Sequence, residues 1–323
     1  MTLKEISKVI LEANKIGLTF HTSPDGDAMG STLGLFNALK ELGKDVYVIS
    51  REVIPDNLSF LPLGYEVDGN TSKPLYGTDL VVVLDCGNYE RICADLEGYN
   101  GKIINIDHHA SNDFYGDYNY VETDSAATAE LVYLLLKELG FEFKGKAEIL
   151  EKIGTCLYTS LVTDTGSFRH SNVTERTHKI ASELISVGVN NNKIHNNLFD
   201  NKPYEKVRLM GEALSSLKLY VDNKVSFIKL PKKELDSLGL GNVDTSDIIS
   251  IALGIEKVEV AVVIKEVEDG VKGSLRSKNE FDVRNIAEKL GGGGHVKAAG
   301  FKLLGVTLDE ACDRIINEIE KEM

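Results

Sequence analysis

The sequence is poor in several features that would each have fixed a class. Four cysteines occur in 323 residues, at positions 86, 93, 156 and 312, and none forms a C-x-x-C pair. A zinc ribbon or thioredoxin motif is therefore not expected, and so few thiols in a long chain do not build a disulfide framework. A reducing, cytoplasmic compartment fits better. No run of 18 apolar residues is present, so no segment is expected to span a membrane. The first residues, MTLKEISKVILEANK, alternate apolar and charged positions as an amphipathic helix does, unlike a signal peptide. Positive charge is also short: the formal net charge is −14. That argues against an extended basic track on long duplex nucleic acid, while leaving room for a small anion at a local cationic site. No internal repeat or low-complexity tract is evident.

What is present is the composition of a soluble globular protein, 42% hydrophobic and 27% charged, with length enough for two domains. Short apolar runs at Gly17–Thr22, Asp45–Ser50, Leu80–Cys86 and Lys102–His108 read as strands. Ala28–Leu42, Ser125–Leu139, Ala147–Thr163, Thr174–Val187 and Tyr204–Leu219 read as helices. Valine and isoleucine runs between helices predict a mostly parallel sheet covered on both faces. The polar, Asn-rich stretch Gly188–Pro203 marks a change of domain. Beyond it, Lys224–Leu230 and Val258–Val267 read as strands, and Glu268–Gly270 as a turn leading into Val271–Arg276. A helix over Val283–Leu290 runs into four glycines, and the chain closes with a helix from Leu308. The expected architecture is an α/β N-terminal domain over residues 1–190, a connection over 191–210 and a smaller α/β domain over 211–323.

Ligands in open α/β sheets bind outside the carboxyl ends of the strands. Three successive strand ends here carry metal-ligand residue types. The first gives His21, Asp25 and Asp27, the second Asp85, and the third Asp107, His108 and His109; Asp164 closes a helix. Singly, each could be a turn or helix cap. Together they place five aspartates and three histidines on one edge, with no basic residue inside the motifs to neutralise them. Divalent cations would do so, and mixed nitrogen and oxygen donors suit Mn²⁺ better than Mg²⁺ alone. Two ions roughly 3.5–4 Å apart suit phosphoryl chemistry.

The order HTSPDGD, LDCGN, IDHH and TDTGSF resembles the four motifs of the DHH phosphoesterase superfamily. The tail, SLRSK followed by FDVRNIAEKLGGGGHVKAAG, resembles the DHH-associated C-terminal domain. Length and tail together are similar to the bifunctional oligoribonuclease and pAp phosphatase group. The resemblance implies two divalent ions, Mn²⁺ first and Mg²⁺ or Co²⁺ as alternatives. It places one on His21, Asp25 and Asp85, and the other on Asp27, Asp85, His108 and Asp164. Asp85 would bridge, Asp107 would orient its neighbours and His109 would face the scissile phosphate. The smaller domain would close over the substrate. There Arg276 could fork onto a phosphate, and Gly291, Gly292, Gly293 and Gly294 would let the substrate approach the backbone and offer it free amides. His295 would contact phosphate or base, and Arg91 would reach the substrate from the N-terminal side. The expected substrates are short single-stranded RNA or small nucleotides, and a homodimer is left open. The competing readings are an inorganic pyrophosphatase, a signalling-dinucleotide phosphodiesterase and a non-enzymatic nucleotide sensor. GGGGH, and the lack of a clustered Arg-Lys-Lys motif, weigh against the first.

Overall fold

The computed structural model describes residues 1–240 and 245–323. They form two compact units, Met1–Asn201 and Lys202–Met323.

The first unit opens with helix α1 (Leu3–Glu12), started by a capping box between Thr2 and Glu5. Strand β1 (Lys15–Thr19) leads to α2 (Gly26–Glu41), β2 (Asp45–Val48), β3 (Leu80–Leu84), β4 (Lys102–Asp107) and β5 (Tyr118–Val121). Helices α3 (Thr128–Glu138), α4 (Glu148–Asp164), α5 (Glu175–Ser186) and α6 (Asn191–His195) follow. The strands lie in the order β2-β1-β3-β4-β5, all parallel, with Leu18 beside Val82 and Val82 beside Ile104. All five residues of β3, LVVVL, are buried, as a central strand covered on both faces requires.

Helix α2 is buried along Gly26–Leu39, so it is a core element rather than a surface amphipathic one. Its Gly26, Gly30 and Gly34 stand one turn apart and face α4. A Cβ on Gly30 would lie 2.5 Å from the Cys156 carbonyl oxygen and 2.7 Å from Ser160 Cβ. One on Gly34 would meet Leu157 at 2.7 Å. The glycine stripe thus lets two helix backbones approach closely, and that approach carries Ser160 and Asp164 to the start of α2.

The second unit holds α7 (Tyr204–Ser215), β6 (Lys218–Tyr220), β7 (Val225–Leu230), α8 (Lys232–Ser237), α9 (Ser246–Leu253), β8 (Val260–Val267) and β9 (Gly270–Ser277). It ends with α10 (Val283–Lys289), β10 (Gly293–His295), β11 (Ala298–Leu304) and α11 (Leu308–Glu320). Among the described residues the strand order is β10-β11-β9-β8-β7-β6, with β7 and β8 parallel and the other pairs antiparallel. One face packs Val260, Val262, Leu275 and Phe301 with Ile286 of α10 and Ile315 of α11. The opposite face packs Ile228, Ala261 and Val263 with Leu209 of α7 and Ile248 of α9. Both units are α/β, the first wholly parallel in its sheet, as the patterning predicts.

Several stretches differ from the sequence reading. The helix expected from Tyr204 to Leu219 stops at Ser215, and Lys218–Tyr220 pairs with β7. Much of Gly188–Pro203 is helical, because Asn190 caps α6 through Lys193 and a π-turn over Asn196–Asp200 continues it. The four glycines do not all offer the free amides expected of them. Gly291 N and Gly292 N donate to Glu288 O and Ala287 O, closing α10, and Gly293–His295 is a strand on β11. A Cβ on Gly294 would lie 2.6 Å from Ala298 O, so that glycine is required by close strand packing.

Candidate metal centre

The carboxyl ends of β1, β3 and β4 gather the ligand-type side chains of the first unit. Beyond β1, the buried His21 ring holds the Thr22 carbonyl with Nδ1 at 2.9 Å. That bond protonates Nδ1 and leaves the Nε2 lone pair for a ligand. His21 Nε2 lies 3.8 Å from Asp25 Oδ2 and 3.5 Å from Asp85 Oδ2. Asp25 caps α2, its Oδ1 accepting from Asp27 N at 3.0 Å and Ala28 N at 3.1 Å, which turns Oδ2 to His21.

The second cluster repeats the arrangement. His108 Nδ1 reaches the Ser125 carbonyl at 3.1 Å, freeing Nε2. That Nε2 lies 3.6 Å from Asp27 Oδ2, 3.7 Å from Asp85 Oδ1 and 3.5 Å from Asp164 Oδ2. Asp85 therefore stands between the clusters, one oxygen toward each histidine. Its backbone is left-handed, at φ 54°, and its Oδ1 accepts from Thr128 Oγ1 at 3.0 Å. His109 is set differently. Its Nδ1 is 2.7 Å from Oδ1 of the fully buried Asp107, whose Oδ2 accepts from Asn112 Nδ2 at 2.6 Å. Asp107 thus orients His109, and both of its oxygens are engaged by His109 and Asn112.

Nitrogen-to-oxygen separations of 3.5–3.8 Å are too long for good hydrogen bonds. They are close to the roughly 3.0–3.4 Å expected between two donors on one ion with bonds of about 2.1 Å. His21, Asp25 and Asp85 form one such set, Asp27, His108 and Asp164 a second, and Asp85, His108 and His109 a third. Within each set the donor atoms lie within 4.8 Å of one another.

The electrostatics match this donor chemistry. Burial, then the Asp85 and Asp164 charges, raises the Asp27 carboxyl well above the usual range. Burial and Asp85 likewise push Asp164 up to about 6, against the pull of His108. Burial opposes charge on His21, but Asp25 and Asp85 overcome it and raise the ring to about 10. The Asp107 hydrogen bond lifts His109 to about 8. Crowded carboxylates that resist ionisation beside histidines that attract protons form a site in which bound cations relieve the strain of like charge.

Five residues outside the motifs complete the centre. Thr128 N donates to Asp27 Oδ2 at 2.8 Å and Ala129 N to Oδ1 at 3.3 Å, while Ser160 also reaches Oδ1. Asp27 thereby serves the buried amides at the start of α3, whose own N-cap residue is Ala127 and makes no side-chain cap bond. The signal was a helix start without a capping side chain, hidden because the sequence pattern begins that helix at Ser125. Behind Asp107, Asn112 Nδ2 also reaches Asn105 Oδ1 at 2.8 Å.

Arg91 flanks the first cluster, its Nη2 3.5 Å from His21 Nδ1. In the second unit, Arg276 pairs across the sheet with Ala298, and Ala298 with His295. The two long side chains share one sheet face across a small residue. Ser274 and Gly300 form the adjacent row.

Residues 15–161 match the DHH family, N-terminal domain, and residues 230–323 match the DHHA1 domain. Over 95% of its length the chain is 36% identical to the bifunctional oligoribonuclease and PAP phosphatase NrnA of Thermus thermophilus, covering 90% of that protein. The chain belongs to the DHH family. A second DHH relative, of the same name, from Bacillus subtilis, is 32% identical over 98% of this chain and 97% of its own. In fold, the chain resembles an exopolyphosphatase-related protein from Bacteroides fragilis. The TM-score is 0.88 at 29% identity, over 99% of this chain and 95% of that one. The family's Asp-His-His is Asp107-His108-His109 here. Among the described residues no helix is long and apolar enough to cross a membrane.

Proposed function

We propose that the chain is a two-metal phosphoesterase that hydrolyses short oligoribonucleotides, and pAp, to mononucleotides. The names of its DHH relatives support the substrate class. The observation that carries the chemistry is Asp85, whose two carboxylate oxygens face separate histidine and aspartate clusters. His21, Asp25 and Asp85 would hold one ion, and Asp27, Asp85, His108 and Asp164 the other, with Mn²⁺ favoured by the mixed donors. When bound, the pair would activate a water and neutralise charge developing on the phosphoryl oxygens.

The protein's own groups supply the rest. Asp107 holds Nδ1 of the half-exposed His109, so the Nε2 edge is the one left for substrate. With its pKa lifted to about 8, His109 is largely protonated at neutral pH and can donate a hydrogen bond or a proton to a phosphoryl or leaving oxygen. Arg91 beside His21 would bind the same phosphate. In the second unit, Arg276 and His295, with the exposed Gly294, would supply nucleotide recognition.

The test is a product time course with Mn²⁺ on pAp and on single-stranded RNA of two, five and about 24 nucleotides, with a chelator control. kcat/KM should be highest for two to five nucleotides and fall at about 24, since a net charge of −14 repels a long strand. Efficiency that climbs with length and drops steeply with salt would overturn this reading in favour of an extended nuclease groove.

A further inference from the structure

Behind the second cluster lies a charged group that none of the motifs contains. Arg176, in the first turn of α5, makes contacts that lead to the segment between β5 and α3 and to the first turn of α3. Its Nε donates to Glu130 at 2.7 Å, Nη1 pairs with Glu122, and Nη2 donates to Ser125 Oγ at 2.7 Å. Glu130 is fully buried and Ser125 nearly so. The carbonyl of that same Ser125 receives the Nδ1 proton of His108. A planar guanidinium with three anchors fixes a short segment more rigidly than an ammonium could. A second strap lies beside it: Asn172 Nδ2 reaches Ala126 O at 2.9 Å and Asp164 O at 3.2 Å.

We propose that Arg176 is a positioning residue that, through Ser125, fixes the tautomer and orientation of His108 and so sets the affinity of one metal site selectively. This rests on the two-metal reading above. The selectivity follows from connectivity: His108 belongs to the set with Asp27 and Asp164, whereas His21 is oriented by Thr22, on a different segment. Loss of a partner that orients a metal-bound histidine typically weakens metal binding about 10–100-fold. The effect should fall on one binding event and spare the other.

Metal-stripped full-length protein is titrated with Mn²⁺, free ion being read by electron paramagnetic resonance, for wild type, Ser125→Ala and Arg176→Lys. Ser125→Ala keeps the carbonyl, removes only the anchoring hydroxyl and leaves the Glu130 pair intact, so it remains informative if Arg176→Lys folds poorly. The expected result is two events in wild type, with one weakened about tenfold or more in each variant and the other unchanged. kcat measured at limiting Mn²⁺ should fall and recover at high Mn²⁺, with KM for RNA unchanged. The imidazole Nδ1–H resonance of His108 should broaden in the metal-free variants. Unchanged affinities in folded variants, or equal weakening of both events, would overturn the positioning role and leave the two-metal reading standing. Wild type that binds no Mn²⁺ would overturn both.

Discussion

The closest structural constraint on the centre comes from a residue with no side chain. Substituting Gly30→Ala puts a methyl group 2.5 Å from the Cys156 carbonyl oxygen and 2.7 Å from Ser160 Cβ, where ordinary contact begins at 3.4 Å. The obstruction is main chain on one side, so rotamer changes do not relieve it, and α4 must withdraw by roughly 0.9 Å. Overpacking of this kind costs about 1–3 kcal/mol, against which alanine returns about 1 kcal/mol of helix propensity. Net destabilisation of about 0–2 kcal/mol is expected, and the fold should survive. Function should suffer more. Ser160 and Asp164 ride on the displaced helix, and a misplacement near 1 Å can reduce turnover about a hundredfold. The control is Gly211→Ala, in α7, where the added methyl meets nothing within 4 Å. It should gain up to about 1 kcal/mol and leave metal binding alone. Thermal unfolding of the metal-free proteins, Mn²⁺ stoichiometry and kcat would be measured for both variants. If Gly30→Ala bound Mn²⁺ and turned over RNA like the wild type, the helix approach would not be what positions Asp164, and the reasoning would fail.

Further outcomes can be checked independently. Arg276→Ala should lower kcat/KM on dinucleotides at least tenfold with no change in Mn²⁺ content by elemental analysis; loss of metal would show that the division of labour between the units is wrong. Metal affinity should rise with pH. A metal must displace the proton that His21 holds up to about 10, so between pH 7 and 9 apparent affinity should increase about tenfold per unit. Below pH 6 the carboxyl of Asp164 also takes up a proton, so the ion it would share with Asp27 and His108 should there lose about tenfold in affinity per unit. A flat Mn²⁺ affinity from pH 5 to 9 would contradict the crowding of charges described for the centre.

The convergence of His21, Asp25, Asp27, Asp85, His108 and Asp164 was legible because parallel strands of an α/β sheet end at one rim, and those residues sit just past the apolar runs or at helix termini. The parallel sheet was legible for the same reason: LVVVL has no polar alternation. What escaped reading depends on partners far apart in sequence. Asp27 serves the amides of α3 across 101 residues, and nothing local to either segment signals that pairing. Arg176 looks like an ordinary charge in the first turn of a helix until Glu122, Glu130 and Ser125 fold around it. Gly30 lies in a helix whose apolar pattern is complete without it, so its steric role appears only once α4 lies alongside. The local structure of the run Gly291–Gly294 was hard to read for a different reason. Glycine permits a loop, but it also permits a helix terminus and a crowded edge strand, and local sequence does not choose among them.

The backbone of Asp85 sets a limit on substitution that its charge alone would not. At φ 54° an ordinary side chain carries a steric penalty of about 1 kcal/mol or more, which asparagine and aspartate bear better than most. Alanine at this position would therefore change two things together, removing a carboxylate and forcing a turn it disfavours. Asparagine would change chiefly the charge. Comparing the two separates the electrostatic contribution of this residue from the conformational one. The same geometry makes valine, isoleucine and threonine poor occupants here whatever the chemistry demands. A protein engineer seeking to retune the centre has a narrow alphabet at its midpoint and a wider one at its rim.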